Sequence, residues 1–174
     1  MASVVTWVVV SALAAIGAGY DLRTRRVPNA LTFGAAAAGF VFSLLQTGFG
    51  GLATSLLGCL IGLVIFLPFF ALGGMGAGDV KLLAAFGAWL GPMGALWAAI
   101  YASLVGGALA LVVSVSRGYL PEAVRNVGAV VALWRTVGLV PASGLTLSEA
   151  RGPRLAYAVP IGIGAVLALW LGLE

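Results

Sequence analysis

Residues 73–81 read GGMGAGDVK, with four glycines among the six residues that precede Asp79. The stretch separates two long apolar runs, so it marks where the chain leaves one membrane segment and enters the next. A spanning helix needs about 20 mostly apolar residues. Working outward from this hinge, six runs meet or approach that length, at 3–20, 30–47, 51–72, 79–92, 94–116 and 154–172. Gly91 and Pro92, followed by Gly94, mark a tight turn, which predicts that the fourth and fifth runs form a helical hairpin. Hydrophobic residues make up 62% of the 174 and charged residues 8%, against roughly 25% charged in soluble domains. With a mean hydropathy of +1.15, the whole chain reads as a single all-α integral membrane domain with six transmembrane helices.

The charges orient it. If residues 21–29 are cytoplasmic, six crossings bring the 73–79 loop, the 117–153 segment and the start of the last run to that same side. All nine Lys and Arg residues then lie at or near one face, and the opposite connections, QTGFGG and GPMG, carry none. The positive-inside rule therefore predicts both termini outside a cytoplasmic (inner) membrane. The first run is expected to be retained and not cleaved as a signal peptide. Its start, MASVVTWVVV, has no positive charge, whereas Arg23, Arg25 and Arg26 follow its end. Residues 120–140 differ from the spans. Glu122, Arg125, Asn126 and Thr136 recur on one helical face, with Val124, Val127, Val131 and Trp134 on the other. This pattern predicts an amphipathic helix lying in the cytoplasmic interface.

Composition also narrows the chemistry. The chain has no histidine and one cysteine, so Ser-His-Asp and Cys-His catalysis, disulfide frameworks and the usual zinc sites are not expected. No cofactor or metal is called for. Cys59 lies inside the apolar run SLLGCLIGLVIF and reads as a packing residue. The net charge of +4 does not imply nucleic acid, because the basic residues stand singly at the ends of apolar runs and form no phosphate-tracking patch.

Five acidic residues remain. Glu122, Glu149 and Glu174 read as solvated charges. Asp21 and Asp79 each sit where a spanning run meets a cytoplasmic loop, and an ionisable group at that depth is costly enough to suggest function. The predicted topology puts both at one face and similar depth, although 58 positions separate 21 from 79. Two carboxylates that meet can share one proton, which allows one to activate water while the other protonates a carbonyl. Simpler roles also fit: Asp21 as a topological charge or cap, Asp79 as a first-turn residue favoured by the helix dipole. Gly73, Gly74, Gly76 and Gly78 leave a backbone with little side chain, suited to approach by an extended substrate strand or to close helix packing.

These residues resemble a known family. GAGD at 76–79 is similar to the GxGD signature of intramembrane aspartyl proteases, and GGMGAGDVKL resembles that of the type IV prepilin peptidases. DLRTRRVPNALT, beginning at Asp21, resembles the first-aspartate region of the same enzymes, and ARGPRLAYAVPIGIGA their final helix entry. The resemblance implies that Asp21 and Asp79 are catalytic and that the substrates are prepilins or pseudopilins of a pilus or secretion machine. In that mechanism Gly76 and Gly78 shape the substrate strand, and Lys81 either contacts substrate, biases the pair electrostatically or anchors the helix end by snorkelling. No paired-cysteine segment precedes the first span, which implies the short, peptidase-only TadV/CpaA-like form. An archaeal preflagellin peptidase is a close relative of that reading. The rivals are a small proton-coupled transporter, which would place the carboxylates near the bilayer midplane, and a structural component of a pilus or secretion machine.

Overall fold

The structure is a computed structural model, and it describes residues 3–141 and 155–172. Arg151, Arg154, Glu149 and Glu174, with the first residue expected for the last span, lie outside the described residues. All regular structure among the described residues is helical. The elements are α1 (Val4–Thr24), α2 (Asn29–Ala71), α3 (Ala77–Ser116), α4 (Leu120–Thr136) and α5 (Ala158–Trp170). Helices α1, α2 and α3 are long and apolar enough to cross a membrane, and α5 is a shorter apolar helix.

At 1.5 Å per residue, the 43 residues of α2 would make a straight rod of about 65 Å, roughly twice the hydrocarbon thickness of a bilayer. The chain avoids this by breaking. Thr47 and Gly48 leave helical geometry inside α2, with Gly48 at φ 67°, and Gly91 does so inside α3 at φ 71°. Such positive φ values suit glycine, which has no Cβ to clash. In α3, Pro92 follows at once, where a missing N–H costs nothing at the start of a new helix.

The pairings show that both breaks reverse the chain. In the first half of α2, contacts with α3 rise together: Asn29 meets Lys81 and Gly39 meets Ala88. In the second half they run oppositely, with Thr54 at Gly91, Gly58 at Gly87 and Gly62 at Leu83. The second half of α3 then runs antiparallel to α5, with Ala98 and Ala102 at Gly164 and Gly106 at Tyr157 and Pro160. The expected runs 30–47 and 51–72 thus correspond to the two halves of α2. The fourth and fifth runs correspond to the halves of α3, with the hairpin turn at Gly91.

The first half of α3 lies at the centre. Leu82, Leu83 and Phe86 are completely buried, because the two halves of α2 and helix α1 pack against this segment on different faces. Small residues set the spacing. A Cβ on Gly58 would collide with the Gly87 carbonyl oxygen, and one on Gly87 with the Gly58 carbonyl oxygen, so these two helices touch backbone to backbone. Ser55, buried beside this contact, donates its hydroxyl to the Ala88 carbonyl. Across the other face, the Trp89 indole N–H donates to the Ala35 carbonyl at 2.8 Å.

Helix α4 stops at Thr136, short of the expected end at 140, and has no buried residue. Val124, Val127 and Val131 are exposed. The Trp134 indole reaches past the helix end to the Val140 carbonyl at 3.0 Å, tying down the segment after it.

Candidate active site

Asp21 occupies the last turn of α1 and is 6% exposed. A carboxylate so buried requires a partner. It has one on a distant element: the backbone N–H of Ala158 donates to Oδ2 of Asp21 at 3.0 Å. Ala158 opens α5, and no side chain of its own segment caps that helix. The first N–H groups of any helix lack intrahelical acceptors and carry a partial positive charge. Asp21 therefore acts as the N-cap of α5, supplied from another helix.

Asp79 is the third residue of α3, and its Oδ2 accepts the N–H of Gly76 at 3.2 Å. Here the helix start is closed locally, with Gly76 at the N-cap position. Both carboxylates consequently sit at the positive ends of helices. Helix α1 runs antiparallel to the first half of α3, with Gly17 against Leu82, and this carries Asp21 to the level of Asp79. The two are near enough for the charge of Asp21 to act on Asp79. The residues expected to meet are brought together by the fold.

A third group stands at the same place and was absent from the sequence reading. The phenol of Tyr157, which immediately precedes Ala158, interacts electrostatically with Asp79. Its ring lies over the second half of α3, where a Cβ on Gly106 would be 3.6 Å from Cε1. The available signal was its position within AYAVP at the entry to the last apolar run, but an isolated tyrosine beside a membrane helix is unremarkable by composition alone.

The loop between α1 and α2 is fastened onto the start of α3. Lys81 Nζ donates to Asn29 Oδ1 at 2.9 Å and lies 5.2 Å from the centre of the Phe33 ring. Val27 is buried, and a Cβ on Gly78 would lie 3.3 Å from the Val27 Cβ. Gly78 and Lys81 thus both touch the segment that follows Asp21. Of the four glycines before Asp79, Gly73 adopts a positive φ, at 76°, whereas Gly76 has an ordinary φ of −80°. Cys59 is half-buried against the core.

Among the described residues, no three His, Cys, Asp or Glu side chains gather as metal ligands. A separate cavity of about 690 Å³ lies at the opposite end of α1, between Ser3, Thr6, Gln46, Thr54 and Trp89, and none of the described residues that line it is ionisable. The arrangement of Asp21, Asp79 and Tyr157 offers two carboxyl groups and a phenol for proton transfer and hydrogen bonding.

Comparison with known proteins bears on this arrangement. A sequence model described as the type IV leader peptidase family matches residues 7–111, which include both aspartates. The prepilin leader peptidase/N-methyltransferase of Aeromonas hydrophila is 39% identical over 112 residues, a match that covers 60% of this chain and 37% of that protein. No solved structure matches.

Proposed function

Because the chain belongs to the type IV leader peptidase family, we propose that it is an intramembrane aspartyl endopeptidase whose catalytic pair is Asp21 and Asp79. One observation carries the reading: two carboxylates from α1 and α3, remote in sequence, interact at the converging N-termini of α3 and α5. Each helix end favours negative charge, while mutual repulsion resists holding two charges side by side. A pair under these opposing influences is suited to share one proton. One carboxylate accepts a proton from water as the water oxygen attacks the carbonyl carbon of the scissile peptide. The other, protonated, gives its proton to the carbonyl oxygen. Collapse of the tetrahedral intermediate breaks the C–N bond, and the departing amine takes up a proton, with no covalent enzyme intermediate.

The substrates proposed are prepilins and pseudopilins, cut after a short basic leader. The Aeromonas relative carries the prepilin peptidase name, and the chain spans little more than a third of that protein's length. The six apolar helical segments, counting both halves of α2 and of α3, cross the inner membrane, and α4 lies in its cytoplasmic interface. Asp21, Gly76, Gly78, Asp79 and Lys81 then open to the cytoplasm. In this reading Gly76 keeps the backbone beside Asp79 clear for the extended substrate. Gly78 and Lys81 hold the α1–α2 loop as the floor of the same site, which supports substrate contact by position.

The test is co-expression with candidate prepilins, reading leader removal by gel shift and amino-terminal sequencing. Wild type yields the shortened pilin, and Asp21→Asn and Asp79→Asn each leave it unprocessed. Normal processing by either variant overturns the dyad.

A further inference from the structure

Tyr157 stands where the two halves of the proposed site meet. The N–H of the next residue, Ala158, holds Asp21, and the phenol of Tyr157 lies within reach of the charge of Asp79. One dipeptide at the entry of α5 therefore addresses both carboxylates. Its backbone is fixed, since Ala158 is fully buried and the Tyr157 carbonyl accepts the Ile161 N–H at 3.1 Å. The ring is fixed as well, on one side by the side-chain-free surface at Gly106. The hydroxyl has no hydrogen-bond partner among the described residues, and it is not an unsatisfied buried group either. The phenol thus has its donor open within reach of the charge of Asp79, to which it is not hydrogen-bonded.

We propose that Tyr157 is a third catalytic residue, whose hydroxyl donates a hydrogen bond to the scissile carbonyl oxygen while water adds to the carbonyl carbon and that oxygen takes up the carboxyl proton. This rests on the aspartyl peptidase reading above. The phenol keeps its proton throughout, so the proton balance remains with the carboxylates. Its contribution is electrostatic, and it is made by a donor already oriented before the charge develops.

Tyr157→Phe removes the hydroxyl and keeps the ring that packs on Gly106. The purified variant is assayed in detergent on a prepilin-derived peptide spanning the leader and the first residues of the mature helix. Wild type, Asp21→Asn and Asp79→Asn are run beside it, each well below its own melting temperature. Loss of one oriented donor predicts a fall in kcat on the order of 10- to 100-fold with KM changed by less than about threefold. Two inactive Asn variants together with a Tyr157→Phe enzyme of wild-type kcat would leave the dyad standing and overturn the role of Tyr157. A Tyr157→Phe defect confined to KM would overturn it too. Asn variants that cleave normally would instead remove the aspartyl dyad on which it rests.

Discussion

Replacing Asp21 separates its structural from its chemical role. The carboxylate accepts the Ala158 N–H at 3.0 Å, and both residues are buried. In Asp21→Asn the side-chain amide oxygen can still accept that N–H. A hydrogen bond to a charged group contributes about 1.5–3 kcal/mol and one between neutral groups about 0.5–1.5, which puts the loss near 1 kcal/mol. In Asp21→Ala the bond disappears and a buried donor is left without an acceptor, for a total of about 3 kcal/mol. A domain of this size loses roughly 2–4 °C in melting temperature per kcal/mol. The expected falls are therefore about 2–4 °C for Asn and about 6–12 °C for Ala. Thermal unfolding of the purified protein in one detergent, followed by tryptophan fluorescence, reads both, and leader removal is assayed on the same samples. Both variants are expected to be inactive, with only the alanine variant clearly destabilised. Equal melting temperatures for the two would refute the argument that Asp21 caps α5.

Two further predictions concern how the site is held. Lys81→Met and Asn29→Ala each remove the 2.9 Å bond between Lys81 and Asn29, and a double-mutant cycle on melting temperature should show coupling of about 0.5–1.5 kcal/mol; additive effects would mean that this bond does not fasten the loop. Gly87→Ala places a methyl group against the Gly58 carbonyl oxygen and should destabilise the protein by about 1–3 kcal/mol or more, whereas Gly19→Ala, which meets open space, should be neutral or slightly stabilising; similar melting temperatures for the two would contradict the backbone contact between α2 and α3.

Much of the site was legible because its parts are local signals at the ends of apolar runs. A carboxylate after four glycines, and another ahead of three arginines and Val27-Pro28-Asn29, stand out against a chain with 8% charged residues. The shared level of Asp21 and Asp79 followed from counting crossings, and the fold brings the two into electrostatic contact. The glycines were harder to apportion. Gly78 rests on Val27, which no local property of GAGD specifies, and Gly58 and Gly87 look like any other small residues in their runs until the two helices are placed together.

The sequence by itself determined an all-helical membrane protein and the turn at Gly91, and it singled out the two aspartates as the candidates for chemistry. Those conclusions depend on composition, run length and charge, which are properties of single segments. Only the tertiary structure decided that the first half of α3 is the centre of the bundle, that Asp21 caps α5, that Lys81 reaches Asn29 and that Tyr157 stands beside Asp79. The physical reason is that helices apolar around their whole circumference carry little information about which face turns inward. In such a chain, close approach of small residues and a few hydrogen bonds choose the neighbours, and these become visible only when the helices are packed.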